Sequence, residues 1–235
     1  MNTTIIATGL YEATMLTTLD IRDGAAWITL DDGKVNAMSL EMLREIEAQL
    51  ENACGAAGPI VVKGRKGIFS AGFDVKIFAR GPEDSRRMVK AGVRVIERML
   101  GLPQPIVTAC TGHAYPMGAF LMLCADVRFG VAGDWNIGMN EVAIGLAVPQ
   151  FAVELARHRL TPAGAMRAST GAMFKPEEAA RLGYLDYVVR AEDLDAVVHD
   201  EVQRLAKLDM KSYALTKARL NGPVLAAISA ASTQL

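Results

Sequence analysis

The sequence predicts an α/β chain, on three observations. Short apolar runs of strand character recur through roughly the first 130 residues, each leading through a loop marked by Gly or Pro into a helical pattern. From Pro149 onward the pattern is mostly helical. The chain has 235 residues, 51% of them hydrophobic and 22% charged, which suits one large domain, or a domain with an appendage, around an ample core.

In chain order, "ATMLTTLDIRDGAAWITLDD" reads as two strands about the turn signal "RDG". Ser39 precedes a helix in which Leu40, Leu43, Ile46 and Leu50 share a face. "PIVV" is a buried strand, and "GIFSAGFDVKIF" follows it as a strand-to-helix turn. The next helix places Val89, Val93, Ile96 and Leu100 on one face and stops before Pro103. "PIVTAC" is a strand, "TGHAYPMG" a loop, "AFLMLCAD" a helix and "VRFGVA" a strand. Helices are expected at "FAVELARHRL", "PEEAARL", "LDAVVHDEVQRLAKL" and "SYALTKARL", with one strand, "LDYVV", among them. No sequence repeat accompanies this alternation.

Composition excludes several classes. A net charge of −1 gives no broad electrostatic footprint for nucleic acid. Cys54, Cys110 and Cys124 form no C-x-x-C pair, and two of them lie in apolar runs, so a reducing, cytoplasmic setting is expected. The start, "MNTTIIATGLYEATM", lacks the basic-then-apolar order of a secretory leader. The most apolar stretch, "AYPMGAFLMLCA", is too short to span a membrane and contains Pro116. The three histidines have no metal-ligand spacing, so no metal is expected.

Two loops carry the functional interest. In the first, Gly72 and Asp74 fit an ordinary turn with a helix start, and bare backbone there also suits amides that hold a developing negative charge. The second, with Gly112, Pro116 and Gly118, again runs from a buried strand into a helix N-terminus, where unpaired N–H groups gather. Pro116 and Gly118 also suit a simple helix entry. Two such loops aimed at one point would supply two donors to one oxygen. Downstream, Glu141 is the sole acid between Trp135 and Glu154, flanked by Val142, Ala143, Ile144 and Leu146. A carboxylate in apolar surroundings becomes a base near neutrality, whereas a loop glutamate reaching solvent does not.

Together these segments resemble the crotonase superfamily, the enoyl-CoA hydratase/isomerase group, over nearly the whole chain. "DGKVNAMS" is similar to its acyl-CoA contact segment, "FSAGFDVKIF" to its first oxyanion loop, and "TGHAYPMGAFLMLCADVRFG" to its second oxyanion loop and helix. "GMNEVAIGL" resembles its catalytic glutamate segment, and "GAMFKPEEAARLGYLDYVV" a stretch that commonly reads "G…A.EA...GLV..VV". The resemblance implies a spiral of ββα units over residues 1–190 and a helical trimerisation region over 191–235, in a homotrimer or hexamer. It implies an acyl-CoA thioester substrate, with CoA as part of the substrate and no separate cofactor. It assigns the oxyanion donors to the amides of Phe73 and Met117, the base to Glu141, and CoA contacts to Lys34, Ala37, Ala71 and Asp74. Lys217 matches a lysine that reaches CoA phosphates in such chains, and it equally fits a solvated helix lysine.

The chain departs from the pattern at four positions. Phe73 and Met117 stand where small residues are usual, and Pro116 replaces a common glycine. Hydratases of this group carry a second glutamate at the position of Phe120. Hydration needs one group to activate water and support proton delivery to the neighbouring carbon, and Phe120 can do neither. Moving a double bond needs one base, so the expected activity is a 3-enoyl-CoA to 2-enoyl-CoA isomerase. A hydratase or other enolate chemistry, and a non-catalytic acyl-CoA-binding subunit, are the alternatives. His113 and Asp126 are expected to be structural, Asp126 as a backbone anchor. The apolar residues Val148, Phe151, Val153, Leu155 and Ala156 are expected to face a subunit interface.

Overall fold

The computed structural model describes residues 15–54 and 58–233, and the reading of the N-terminal segment falls outside them at residues 1–14. The described chain winds as a spiral in which successive turns feed two sheets. Strands β1 (Thr17–Arg22) and β2 (Ala25–Leu30) form an antiparallel hairpin. Asp23 and Gly24 close it with φ of 53° and 75°, the pair of positive values whose twist matches the flanking strands. Helix α1 (Leu40–Cys54) follows, its first turn capped by Ser39, whose Oγ accepts the Met42 N–H at 3.1 Å.

The second turn is β3 (Ile60–Lys63), β4 (Gly67–Ser70), the short α2 (Val75–Phe78) and the long α3 (Pro82–Gly101). The third is β5 (Ile106–Cys110), β6 (Gly112–Ala114) and α4 (Pro116–Leu123). The fourth is β7 (Val127–Val131), β8 (Ile137–Gly138), a 3-10 turn at Val142–Ile144 and α5 (Gln150–Arg159). Then come α6 (Pro162–Ala168), β9 (Met173–Phe174), α7 (Pro176–Leu182), β10 (Tyr187–Val189), α8 (Leu194–Leu205) and α9 (Met210–Ser232).

The larger sheet has the order β1-β2-β3-β5-β7-β10 and is parallel from β2 onward. Its inner strands are largely apolar because both faces are covered, with Thr108 and Arg128 as buried polar exceptions. Ile28, Leu30, Ile60, Val62 and Ile106 belong to the main core, while Trp27, Val61, Val107 and Ala109 pack with Leu194, Val198 and Val202 of α8 on the other side. The smaller sheet has the order β4-β6-β8-β9. The bends that lead from one sheet to the other bring backbones very close. A Cβ on Gly112 would sit 2.1 Å from the Gly67 carbonyl oxygen, so only glycine fits there.

The structure departs from the sequence reading in the smaller sheet and at the C-terminus. Gly67–Ser70 and Gly112–Ala114, read as turn and loop, are strands, and β8, β9 and α6 were not foreseen. Helix α9 continues through Gly222 and Pro223 to Ser232, because Val224, Ile228 and Ala231 are buried and hold the segment beyond the proline. Phe151, Leu155 and Ala156, expected at a subunit interface, are instead buried within this chain, where α5 packs against α9. Among the described residues no helix is long and apolar enough to cross a membrane.

Candidate active site

The first loop leaves β4 at Ser70 and turns through Gly72, at φ 84°. It is pinned to residues 35–38: Ala71 N–H donates to the Val35 carbonyl at 2.9 Å, and Met38 N–H to the Gly72 carbonyl at 2.8 Å. That partner segment is itself fixed from within. Asp32 accepts the N–H groups of Lys34, Asn36 and Ala37 at 2.7, 2.8 and 3.1 Å. Buried Asn36, at φ 51°, donates from Nδ2 to the Leu30 and Phe69 carbonyls. Asp74 caps α2 by accepting the Lys76 N–H at 2.9 Å. Among the described residues the Phe73 N–H has no acceptor.

The second loop is set against the first through Ser70. Tyr115 N–H donates to the Ser70 carbonyl at 2.9 Å, and a Cβ on Gly118 would come within 2.8 Å of the Ser70 Cβ. Pro116 opens α4, so the amide of Met117 lies in the first helical turn, where no carbonyl precedes it to accept, and it has no acceptor among the described residues. The two loops abut, since a Cβ on Gly72 would lie 3.5 Å from the Pro116 ring.

Glu141 opens the tight turn after β8. Its carbonyl accepts the N–H groups of Ile144 and Leu146 at 3.0 and 2.9 Å, and Gly145 at φ 79° lets the chain reverse. The residue is 7% exposed, Oε2 has no hydrogen-bond partner among the described residues, and burial pushes the carboxyl above the usual glutamate range. Of the neighbours expected to surround it, Val142 is exposed, while Ile144 and Leu146, though partly in solvent, border the same cavity as Glu141. That cavity, of about 400 Å³, is bounded by Gly72, Phe73, Pro116, Phe120, Glu141 and Leu146, among others, and among the described residues Glu141 is the only carboxylate in its wall. Phe120 is buried and meets Phe151 edge-on at 5.9 Å.

A second cavity, of about 430 Å³, shares Ala71, Phe73 and Val75 with the first and reaches Lys34, Ala37, Asp74 and Lys76. Seven of the eight residues singled out from sequence thus lie on one path. Six of them line these cavities, and Met117 sits next to Pro116 in the wall of the first.

Lys217 is the exception. Its amine is buried, donating to Asp126 Oδ2 at 2.7 Å and to the Gln104 carbonyl at 2.9 Å, so it is neither solvated nor directed at a phosphate. Burial lowers its pKa, and Asp126 opposes that. Asp126 also accepts the Ile106 N–H at 2.7 Å, the backbone anchor expected of it. His113 accepts the Asn136 N–H on Nδ1 at 3.0 Å and packs edge-on against Trp135, a structural placement.

Sequence reasoning missed Asp32, Asn36 and Ser70, which shape the two loops. The signal for Asn36 is an asparagine two residues after Gly33-Lys34, where a left-handed turn residue with a side chain that can satisfy buried carbonyls is useful. Lys76 was also missed as a cation at the outer cavity.

Comparison with known proteins places the fold and the family. The family model described as enoyl-CoA hydratase/isomerase matches residues 20–234. A probable enoyl-CoA hydratase of Bacillus subtilis is 30% identical over 193 residues, covering 80% of this chain and 73% of its own. Mitochondrial enoyl-CoA delta isomerase 1 of Mus musculus is 29% identical over 202 residues, covering 83% and 69%. The crystal structure of an enoyl-CoA hydratase/isomerase family protein from Pseudomonas syringae superposes with a TM-score of 0.91 at 38% identity, covering 93% of this chain and 96% of that one. With its fold, its two facing loops and its cavity in place, the chain belongs to the enoyl-CoA hydratase/isomerase family, the crotonase superfamily.

Proposed function

We propose that the protein shifts the double bond of a 3-enoyl-CoA into conjugation with the thioester. The observation that carries this reading is the cavity wall, in which, among the described residues, Glu141 is the only carboxylate and the apolar ring of Phe120 stands where a second would be needed. The thioester oxygen lies between the amides of Phe73 and Met117, whose N–H groups are otherwise unused. Glu141, made basic by burial, takes the C2 proton. Charge moves to the oxygen as a dienolate, where the two donors are worth most because water is excluded. Glu141 then returns the proton to C4. The acyl chain lies among Phe78, Val89, Ile144 and Leu146, and the CoA portion follows the second cavity past Ala71, Ala37 and Asp74 toward Lys34. The reaction needs no cofactor beyond the CoA of its substrate.

Assembly is part of the proposal. Met166, Leu215 and Leu220, 71%, 53% and 66% exposed, are large apolar side chains left bare by this fold, and we place them between subunits of a trimer or hexamer. Light scattering should give three or six times 25.2 kDa, and a clean monomer would reject it. A soluble cytoplasmic protein is the corresponding expectation.

Hydration of a 2-enoyl-CoA is the competing reading, favoured by the polar side chains of Tyr115 and Asn140 in the same wall. Conjugation raises ultraviolet absorbance and hydration lowers it, so one spectrophotometer reads both. Lack of a general acid–base partner costs about 10²- to 10⁴-fold, so isomerisation should exceed hydration by that order. Hydration as fast as isomerisation would overturn the isomerase reading. Acyl-CoA binding with neither change would instead indicate a non-catalytic binding subunit.

A further inference from the structure

Gly92 stands in the middle of α3, in a face otherwise built of Met88, Ala91, Val93, Val95 and Ile96. A glycine there weakens the helix relative to alanine, because it frees the unfolded chain and adds no packing. Its surroundings explain the choice. A Cβ on Gly92 would lie 2.8 and 2.9 Å from Cζ and Cε1 of Phe73, and 3.3 Å from the Cε of Met117. The two residues whose amides we assign to the thioester oxygen therefore rest their side chains on one bare Cα. The Phe73 ring is held from another side by Phe78, edge-on at 6.2 Å, and Met117 is wholly buried.

We propose that Gly92 is a positioning residue for both oxyanion donors, a common seat that fixes where the Phe73 and Met117 amides point. The inference rests on the oxyanion assignment made above and adds a cause for the bulky residues at those two positions. Small residues in the loops would need no such seat. Phe73 and Met117 do, and the absent side chain at residue 92 gives their own side chains a rigid place to stop. Adding a methyl group at Gly92 displaces the Phe73 ring. The ring also borders both cavities, so the added methyl tests whether the displaced ring draws its backbone along or turns into the open space. A misplacement of about 1 Å in such a site costs roughly 10²-fold in rate.

The experiment compares Gly92→Ala, Phe73→Leu and the double variant as purified full chains. Phe73→Leu removes the ring atoms that the new methyl would meet. Each is assayed for turnover of an enoyl-CoA, for affinity toward a saturated acyl-CoA, and for the near-ultraviolet enolate band of bound acetoacetyl-CoA. That band reports the oxyanion donors whichever reaction the enzyme performs.

Gly92→Ala should lower kcat by about tenfold or more and weaken the enolate band, with saturated acyl-CoA affinity within about threefold of wild type. In the Phe73→Leu background the same substitution should cost no more than about twofold. Should Gly92→Ala fail to fold, the double variant must fold and match Phe73→Leu. Wild-type kcat and band in Gly92→Ala would overturn the seat. So would a loss confined to KM, which means the ring merely entered the acyl cavity, or a loss not relieved by Phe73→Leu. A wild-type protein that gives no enolate band removes the oxyanion assignment itself, and the seat with it.

Discussion

The two sheets are laid down by the same turns of chain, yet they follow opposite rules. Strands of the larger sheet run for three to six residues, and its inner members are buried on both faces. Strands of the smaller sheet run for two to four residues, include Gly67, Gly112 and Gly138, and end in loops with unused amides. Burial of a Val or Ile side chain is worth about 1.5–3 kcal/mol, and the larger sheet collects that gain along its whole inner length. The smaller sheet places backbone where the larger one has fixed it. The difference teaches that stability and reactivity are separated within the second, third and fourth turns: the first strand anchors, and the second aims.

Three substitutions would break or sharpen that separation. The largest effect is expected at the aiming end. Glu141→Gln keeps shape and loses basicity, so turnover should fall by about 10²- to 10⁴-fold with acyl-CoA affinity little changed. Wild-type turnover in that variant would show that another group carries the proton. Its stability should move the other way. Burial raises the Glu141 carboxyl, so the folded chain holds that proton more tightly than the unfolded chain. The carboxyl's contribution is complete below the unfolded-state value and is lost as pH rises through the folded one. The uncharged variant should therefore melt higher than wild type at neutral pH, with the gap closing toward about pH 4. A gap that widens on acidification would contradict the burial account.

At the anchoring end, Lys217→Ala leaves Asp126 largely enclosed without its cation, the side chain being 21% exposed. Breaking such a pair should cost about 3 kcal/mol in denaturant unfolding while the acyl-CoA dissociation constant stays put. Weaker acyl-CoA binding at unchanged stability would restore the phosphate contact that the structure argues against. The smallest effect is Ile60→Val in β3, one methylene from a fully buried strand. It should cost about 1 kcal/mol and leave kcat within experimental scatter. A rate loss there would mean that the two sheets are not separable.

The same contrast decides what was legible in the sequence. "PIVV", "PIVTAC" and "VRFGVA" are rich enough in β-branched and apolar residues to announce a strand, and α1 and α3 show their buried faces at helical spacing. "GIFS" and "GHA" do not, because each opens on a glycine that signals a turn and neither offers an unbroken apolar run. Glu141 was legible as an isolated acid with a family resemblance, and in part for the right reason: Ile144 and Leu146 border its cavity, Val142 does not, and the rest of the wall comes from the first loop, α3 and α4, which sequence order does not reveal. Lys217 was misread because an exposed helix lysine and a buried one look alike until Asp126, 91 residues earlier, is seen to meet it. Gly92 gave no signal, since its role depends on side chains from two other turns.

The clasp between α9 and the middle of the chain also sets an order of events during synthesis. Lys217 reaches Asp126 across 91 residues and Asn221 reaches the Leu100 carbonyl across 121. Closing loops of that length is an entropic cost met late, after local helices and the first hairpin can already have formed. Until residue 221 leaves the ribosome, the corner where α3 turns into β5 has an open carbonyl, and Asp126 lacks the Lys217 amine. The nascent chain therefore carries a nearly complete catalytic spiral in a form that is not yet latched, exposing apolar surface that α9 will cover.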